Sequence, residues 1–274
     1  MFTGENRRPV KVFFRLTAMI LALLLLVSCG GKAPSSKGKN DDAAKPEVAA
    51  EQDDQPGANG SGGTASESFS AYSEAKGKVL NTLSDALSNN PGTELDSMSL
   101  LGVIMVDFLL LPASIFGLGE DAAAITLGMI GAKDVVYAED GNRYNVRYKN
   151  DEGEEYELQG VYDKAADSLK CTVFIEGDES LVSEYCKTSF GYVGQIYGIN
   201  DDGSRFIYQL ALSGEDGMIG ISEESTTPAA LTGSEAADFP KACKEWYSIE
   251  GDKFTGVTSD GRELSFVYTP SDDS

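Results

Sequence analysis

Hydrophobic positions along this chain follow a helical spacing first and a strand spacing afterwards. From Ser70 to Ser88, Tyr72, Val79, Leu83 and Leu87 fall on one helical face, with Ala75, Leu80 and Ala86 beside it. Asn89-Asn90-Pro91-Gly92 stops that pattern. Leu95 to Leu118 is apolar on every side except for Asp96, a few serines and Asp107, and Pro112 breaks or kinks it. A third helix is predicted from Glu120 to Ile130, with Glu120 and Asp121 suited to its positive N-terminal end.

From Lys133 onward the period becomes two. Val135 and Tyr137, then Tyr144, Val146 and Tyr148, then Tyr156, Leu158 and Tyr162 alternate with polar residues. Leu169, Cys171, Val173 and Ile175 do the same, as do Phe206, Tyr208 and Leu210, and Leu264, Phe266 and Tyr268. Alternating aromatic and β-branched residues are the mark of half-buried strands. Asp-Gly pairs separate them at 140–141, 202–203, 216–217 and 260–261, joined by Glu152-Gly153. A two-residue turn at Asp140-Gly141 places Tyr137 opposite Tyr144. One at Asp202-Gly203 places Tyr197 opposite Tyr208, and one at Asp260-Gly261 places Val257 opposite Leu264. Ser222 to Lys241 interrupts the strands with a loop or a short helix near Ser234–Ala242. Helices first and hairpins afterwards predict an α+β fold. Two or three N-terminal helices pack on one face of a curved, mostly antiparallel meander sheet of about eight or nine strands.

The N-terminus has a different character. Arg7, Arg8, Lys11 and Arg15 precede an almost unbroken apolar run from Leu16 to Val27, followed by Ser28 and Cys29. This is the order of a secretory signal peptide, with an apolar core too short to span a membrane. Leu26-Val27-Ser28-Cys29 resembles the lipobox of bacterial lipoproteins. The resemblance implies cleavage after Ser28 and a lipid on Cys29. It places the protein in the cell envelope, held on the extracytoplasmic side of a bacterial membrane. Residues 29–68 are rich in Gly, Ser, Ala, Lys and Asp and carry no aromatic residue. Such a segment buries too little apolar surface to offset its chain entropy and reads as a disordered tether, roughly 35 Å across as a coil. The organisation is therefore a signal peptide over 1–28, a tether over 29–68 and a single domain over 69–274.

Charge narrows the partners. Of 22 basic and 44 acidic residues, 14 and 36 lie from Phe69 onward, so the domain carries the whole net charge of −22. A body this acidic repels nucleic acid and anionic lipid headgroups, so both are poor partners. Histidine is absent, which removes Ser-His-Asp and Cys-His catalysis and the His-containing zinc sites. No C-x-x-C pair and no calcium-loop spacing occurs, so neither a metal nor another cofactor is expected.

Ser73-Glu74-Ala75-Lys76 has the Ser-x-x-Lys spacing of penicillin-binding proteins, and Lys187-Thr188-Ser189 resembles their Lys-Thr-Gly. No Ser-x-Asn element lies suitably between them, and the four residues serve to start an amphipathic helix. A hairpin around Gly177-Asp178-Glu179-Ser180 sets Cys171 opposite Cys186 and predicts a disulfide between them, with Cys243 free. The alternative is three reduced thiols. The apolar segment 100–118 is expected to pack inside the sheet, with Ile104, Asp107 and Phe108 lining an apolar ligand site. These features favour a non-catalytic binding module for an apolar small molecule, a peptide or an envelope protein. A carboxylate-based enzyme acting on envelope polymers and a purely structural lipoprotein are the alternatives.

Overall fold

The computed structural model describes residues 63–200 and 203–270. The signal segment, Cys29 and most of the expected tether lie outside the described residues. The first helix, α1 (Ala65–Asn89), starts five residues before the apolar spacing begins. Its start is set by Thr64, whose hydroxyl accepts from the Glu67 N–H while the Glu67 carboxylate accepts from the Thr64 N–H. This reciprocal cap satisfies two backbone donors that a helix end leaves open. Helix α2 (Met98–Leu110) follows, then a 3-10 turn over Leu111–Ile115 and helix α3 (Glu120–Met129). Pro112 sits at the start of the 3-10 turn, where its missing N–H costs nothing.

One antiparallel sheet of eleven strands holds the rest, and every strand pairs with its sequence neighbours. The strands are β1 (Lys133–Asp140), β2 (Arg143–Lys149), β3 (Glu155–Asp163), β4 (Ser168–Ile175), β5 (Asp178–Lys187) and β6 (Tyr192–Ile199). They continue as β7 (Arg205–Ser213), β8 (Asp216–Glu224), β9 (Glu245–Glu250), β10 (Lys253–Val257) and β11 (Glu263–Val267). The α+β class is as expected, but the sheet is larger than eight or nine strands. The element near Ser234–Ala242 is a single 3-10 turn, Phe239–Ala242.

Turn chemistry moved the registers. At the β2–β3, β6–β7 and β10–β11 connections one backbone pattern recurs. Asn150 N–H donates to Glu154 O, Asn200 N–H to Ser204 O, and Thr258 N–H to Arg262 O. Inside each loop the glycine N–H donates back to the first residue: Gly153 to Asn150, Gly203 to Asn200 and Gly261 to Thr258. These glycines have φ of +84° to +86°, so each loop is a tight turn followed by a glycine bulge. The extra residue displaces the pairing by one. Tyr197 therefore faces Ile207, not Tyr208, and Val257 faces Glu263, not Leu264. The β1–β2 turn uses Gly141-Asn142, which sets Tyr137 opposite Val146 and not Tyr144. That shift is two residues and keeps the same face.

The helices and one face of the sheet share a single core. Tyr72, Val79, Leu83 and Leu87 of α1 and Leu100, Val103 and Leu110 of α2 meet Leu158, Leu169, Ile196, Leu210, Ile219 and Tyr247. Tyr72 stacks on Tyr185 of β5 with ring centres 4.2 Å apart, and the Tyr185 hydroxyl hydrogen-bonds Ser68 at 2.8 Å. The opposite face holds a smaller cluster, Val182, Tyr197 and Ile207. Segment 225–242 lies against that face: Gln195 of β6 donates to Ala229 O at 2.7 Å, and Leu231 N–H donates to Glu184 of β5 at 3.1 Å.

Among the described residues the Tyr72 hydroxyl is buried without a hydrogen-bond partner. It points at Gly194 of β6, whose missing side chain makes the room: a β-carbon there would lie 3.0 Å from Tyr72 Cζ and nearer still to the hydroxyl. Leaving a buried hydroxyl unpaired costs about 1 kcal/mol or more. Tyr72→Phe is therefore expected to raise stability by about 1 kcal/mol, or roughly 2–4 °C in Tm for a domain of this size. Thermal unfolding by circular dichroism checks it; a lower Tm would mean that the hydroxyl has a partner in solution.

Candidate functional site

Helix α2 carries the most unusual surface of the described residues. Positions 98, 101, 105 and 108 repeat at intervals of three and four, so Met98, Leu101, Met105 and Phe108 form one stripe along it, with Ile104 beside them. Leu100, Val103, Val106 and Leu110 occupy the opposite side and enter the core. The stripe faces outward: Met98 is 60% exposed, Leu101 49% and Phe108 47%. The expectation that α2 is buried all round is thus corrected. It packs by one face only, because α1 and the sheet already cover that face and nothing in the described residues lies over the other.

The single charge inside α2 is turned away from this stripe. Asp107 pairs with Lys76 of α1, whose side chain is only 2% exposed against 42% for Asp107. Lys76 sits in the middle of the apolar face of α1, and its ammonium lies 5.5 Å from the Tyr72 ring centre. Burial holds the Asp107 carboxyl above its ordinary value, against the opposing pull of the Lys76 ammonium. The pair joins the two helices, and the Ser-x-x-Lys spacing thereby receives a structural account: its lysine is spent on Asp107.

The three residues expected to line an apolar site are therefore distributed. Ile104 is half-buried and packs against the core, Phe108 lies on the outward stripe, and Asp107 is committed to Lys76. A cleft of about 790 Å³ lies elsewhere, lined by residues including Asn81, Asp85, Glu215, Asp216, Asp252 and Tyr268. Most of its lining residues are polar, and two of its carboxylates serve the fold: Asp85 accepts from Tyr268 at 2.7 Å and Asp216 accepts from Gly251 N–H at 2.7 Å. Among the described residues no group of three or more acidic or cysteine side chains is placed to hold a metal ion.

The cysteine pairing is also corrected. The β4–β5 turn is made by Glu176 and Gly177, both at positive φ (+53° and +84°), with a bulge before Leu181. Cys171 consequently opposes Ser183, and Cys186 opposes Ser168. The two cysteines lie three residues apart along the ladder, about 10 Å, and on opposite faces of the sheet, beyond disulfide reach. Cys171, Cys186 and Cys243 are all free thiols. Burial pushes the Cys171 thiol well up from its ordinary value, which makes it inert.

Sequence reasoning passed over Lys76 as a site residue, although a signal existed. A lone lysine on the apolar face of one helix and a lone aspartate inside the next are complementary misfits. Comparison with known proteins finds no matching family model, no matching curated protein and no matching solved structure.

Proposed function

We propose that this chain is a lipid-anchored extracytoplasmic lipoprotein of the bacterial cell envelope whose domain is a non-catalytic binding module. The helices rest on an antiparallel sheet and present an apolar surface outward. The observation that carries the reading is the stripe of exposed Met98, Leu101 and Phe108, with half-buried Met105 between them, on a domain that is otherwise strongly acidic. Contiguous exposed apolar surface of this kind marks contact with a partner or a membrane. The lipobox supports the anchor, and the several acyl chains it implies on Cys29 make attachment effectively stable. The carboxylates of the polar cleft favour an enzyme less, since Asp85 and Asp216 are occupied by Tyr268 and Gly251.

Two measurements test the reading. The wild-type chain, expressed in a bacterium that processes lipoproteins, is expected to incorporate labelled palmitate, and Cys29→Ser to lose the label completely. A label that persists in Cys29→Ser removes the anchor assignment. A benzophenone amino acid at position 108 is expected to yield a covalent adduct on illumination of living cells. A bare residue 108 would favour a purely structural lipoprotein.

A further inference from the structure

We infer that the outward stripe of α2 is a membrane-contact surface: the domain lies against the bilayer with this helix in the plane of the lipid interface. The inference rests on the proposed reading and names the occupant of that same surface.

Composition comes first. From Ser97 to Gly119 the chain has one charged residue, Asp107, in a protein that is 24% charged. The window Met98–Ile115 has a mean hydropathy of 2.1, yet only 39% of it is buried. A segment as apolar as a membrane span therefore presents Met98, Leu101 and Phe108 to its surroundings, with half-buried residues between them. It cannot span, because the helix is 13 residues long, about 20 Å against a hydrocarbon core of about 30 Å, and its other face is fixed in the domain core. An in-plane position satisfies both facts. The outward side chains enter lipid, and the one charge is withdrawn to Lys76.

Shape and position come second. The stripe is a ridge of side chains standing out from a helix. A deformable bilayer accommodates a ridge, whereas a folded partner needs a matching groove. The cleft described above is lined mostly by polar residues, so a second copy offers no such groove there, and two domains of net charge −22 repel each other. The described fold joins the preceding chain at Gly63. Three residues later the Ser66 hydroxyl donates to Ser114 O, in the 3-10 turn that follows α2. The described chain therefore begins near the C-terminal end of α2, past Phe108. With Cys29 lipidated, residues 30–62 keep the domain close to the bilayer, so a weak contact is filled by high local concentration. The stripe carries no lysine or arginine. Its attachment draws on apolar burial and not on charge, so it should survive high salt and need no anionic lipid.

The test uses the full lipid-modified chain in vesicles of phosphatidylcholine and phosphatidylethanolamine, with the benzophenone residue at 101, 108 or, as a control, the exposed strand position 179. Phospholipid adducts are expected at 101 and 108, about tenfold above 179, unchanged in 1 M salt; mass spectrometry of the same sample reports the lipid on Cys29. Leu101→Gln should lower the adduct at 108 about fivefold with an unaltered circular dichroism spectrum. Adducts of dimer mass, or to another protein when envelope extract is added, overturn membrane contact and leave the binding module standing. Absence of any adduct in a chain that does carry lipid overturns the surface but not the anchor. Phospholipid adducts in a chain without lipid on Cys29 overturn the anchor but not the surface.

Discussion

Asp107→Ala is expected to lower the stability of the domain by about 3 kcal/mol, seen as a Tm drop of roughly 6–12 °C. The cost does not come from losing an attraction alone. Lys76 is 2% exposed in the middle of the α1–sheet core, and without Asp107 its ammonium keeps no ionic partner there. Removing one member of a buried pair strands the other, and the unpaid desolvation dominates. Burial already holds the Asp107 carboxyl above its ordinary value, so the pair recovers less than the hydration both groups give up. The sign follows: its folded-state value exceeds the unfolded one. Ionisation of Asp107 opposes folding, and its contribution fades as pH rises from about 4 through the folded value. Replacing both members, as Lys76→Met with Asp107→Leu, should therefore restore stability to within about 1 kcal/mol of wild type or above it. Urea unfolding of the three chains decides this. A double variant as unstable as Asp107→Ala would mean that the pair orients the helices and is not merely tolerated.

Gly191→Ala is expected to cost about 3 kcal/mol or to prevent folding at 37 °C. Gly191 lies between β5 and β6 at φ +149°, a conformation that side-chain-bearing residues rarely adopt. A β-carbon there would enter the Leu212 carbonyl oxygen and stand 3.0 Å from the Leu212 carbonyl carbon. Neither atom can move aside as a side chain would, because Leu212 is paired with Tyr192 in the β6–β7 ladder. The conformational strain and the steric conflict add, each of order 1–3 kcal/mol. Gly77→Ala, in the middle of α1 with nothing within 4 Å of the added carbon, is the natural comparison and should be neutral or slightly stabilising. Equal Tm values for the two variants would contradict the argument.

Much of this fold was legible in the spacing of apolar residues. The change from a period near 3.6 to a period of 2 at Lys133 falls where β1 begins, and the helices precede the sheet as the pattern requires. The capping box Thr64-Ala65-Ser66-Glu67 was equally readable, but the Gly- and Ser-rich composition around it drew residues 65–68 into the tether. Strand number was underestimated because strands such as β8 interrupt their apolar residues with glycine and show little alternation. Local chemistry determined most of the turns, since Asp-Gly and related pairs favour hairpin tips, but Asp216-Gly217 opens β8 and the turn before it is Gly214-Glu215.

Which residues face each other was decided only in three dimensions. A turn of two residues and a turn with a glycine bulge are written in nearly the same letters, and the single extra residue carries Tyr197 to the other face of the sheet, while a tighter Glu176-Gly177 turn separates Cys171 from Cys186 by three positions. The apolar run 100–111 states that α2 must avoid water, yet not what will cover each side of it. Coverage depends on neighbours far along the chain: Lys76, Tyr208 and the strands beneath. Periodicity is a property of the chain by itself, whereas register and exposure are properties of contacts between distant segments. The elements of this protein were thus determined by its sequence alone, and its outward apolar stripe by tertiary packing.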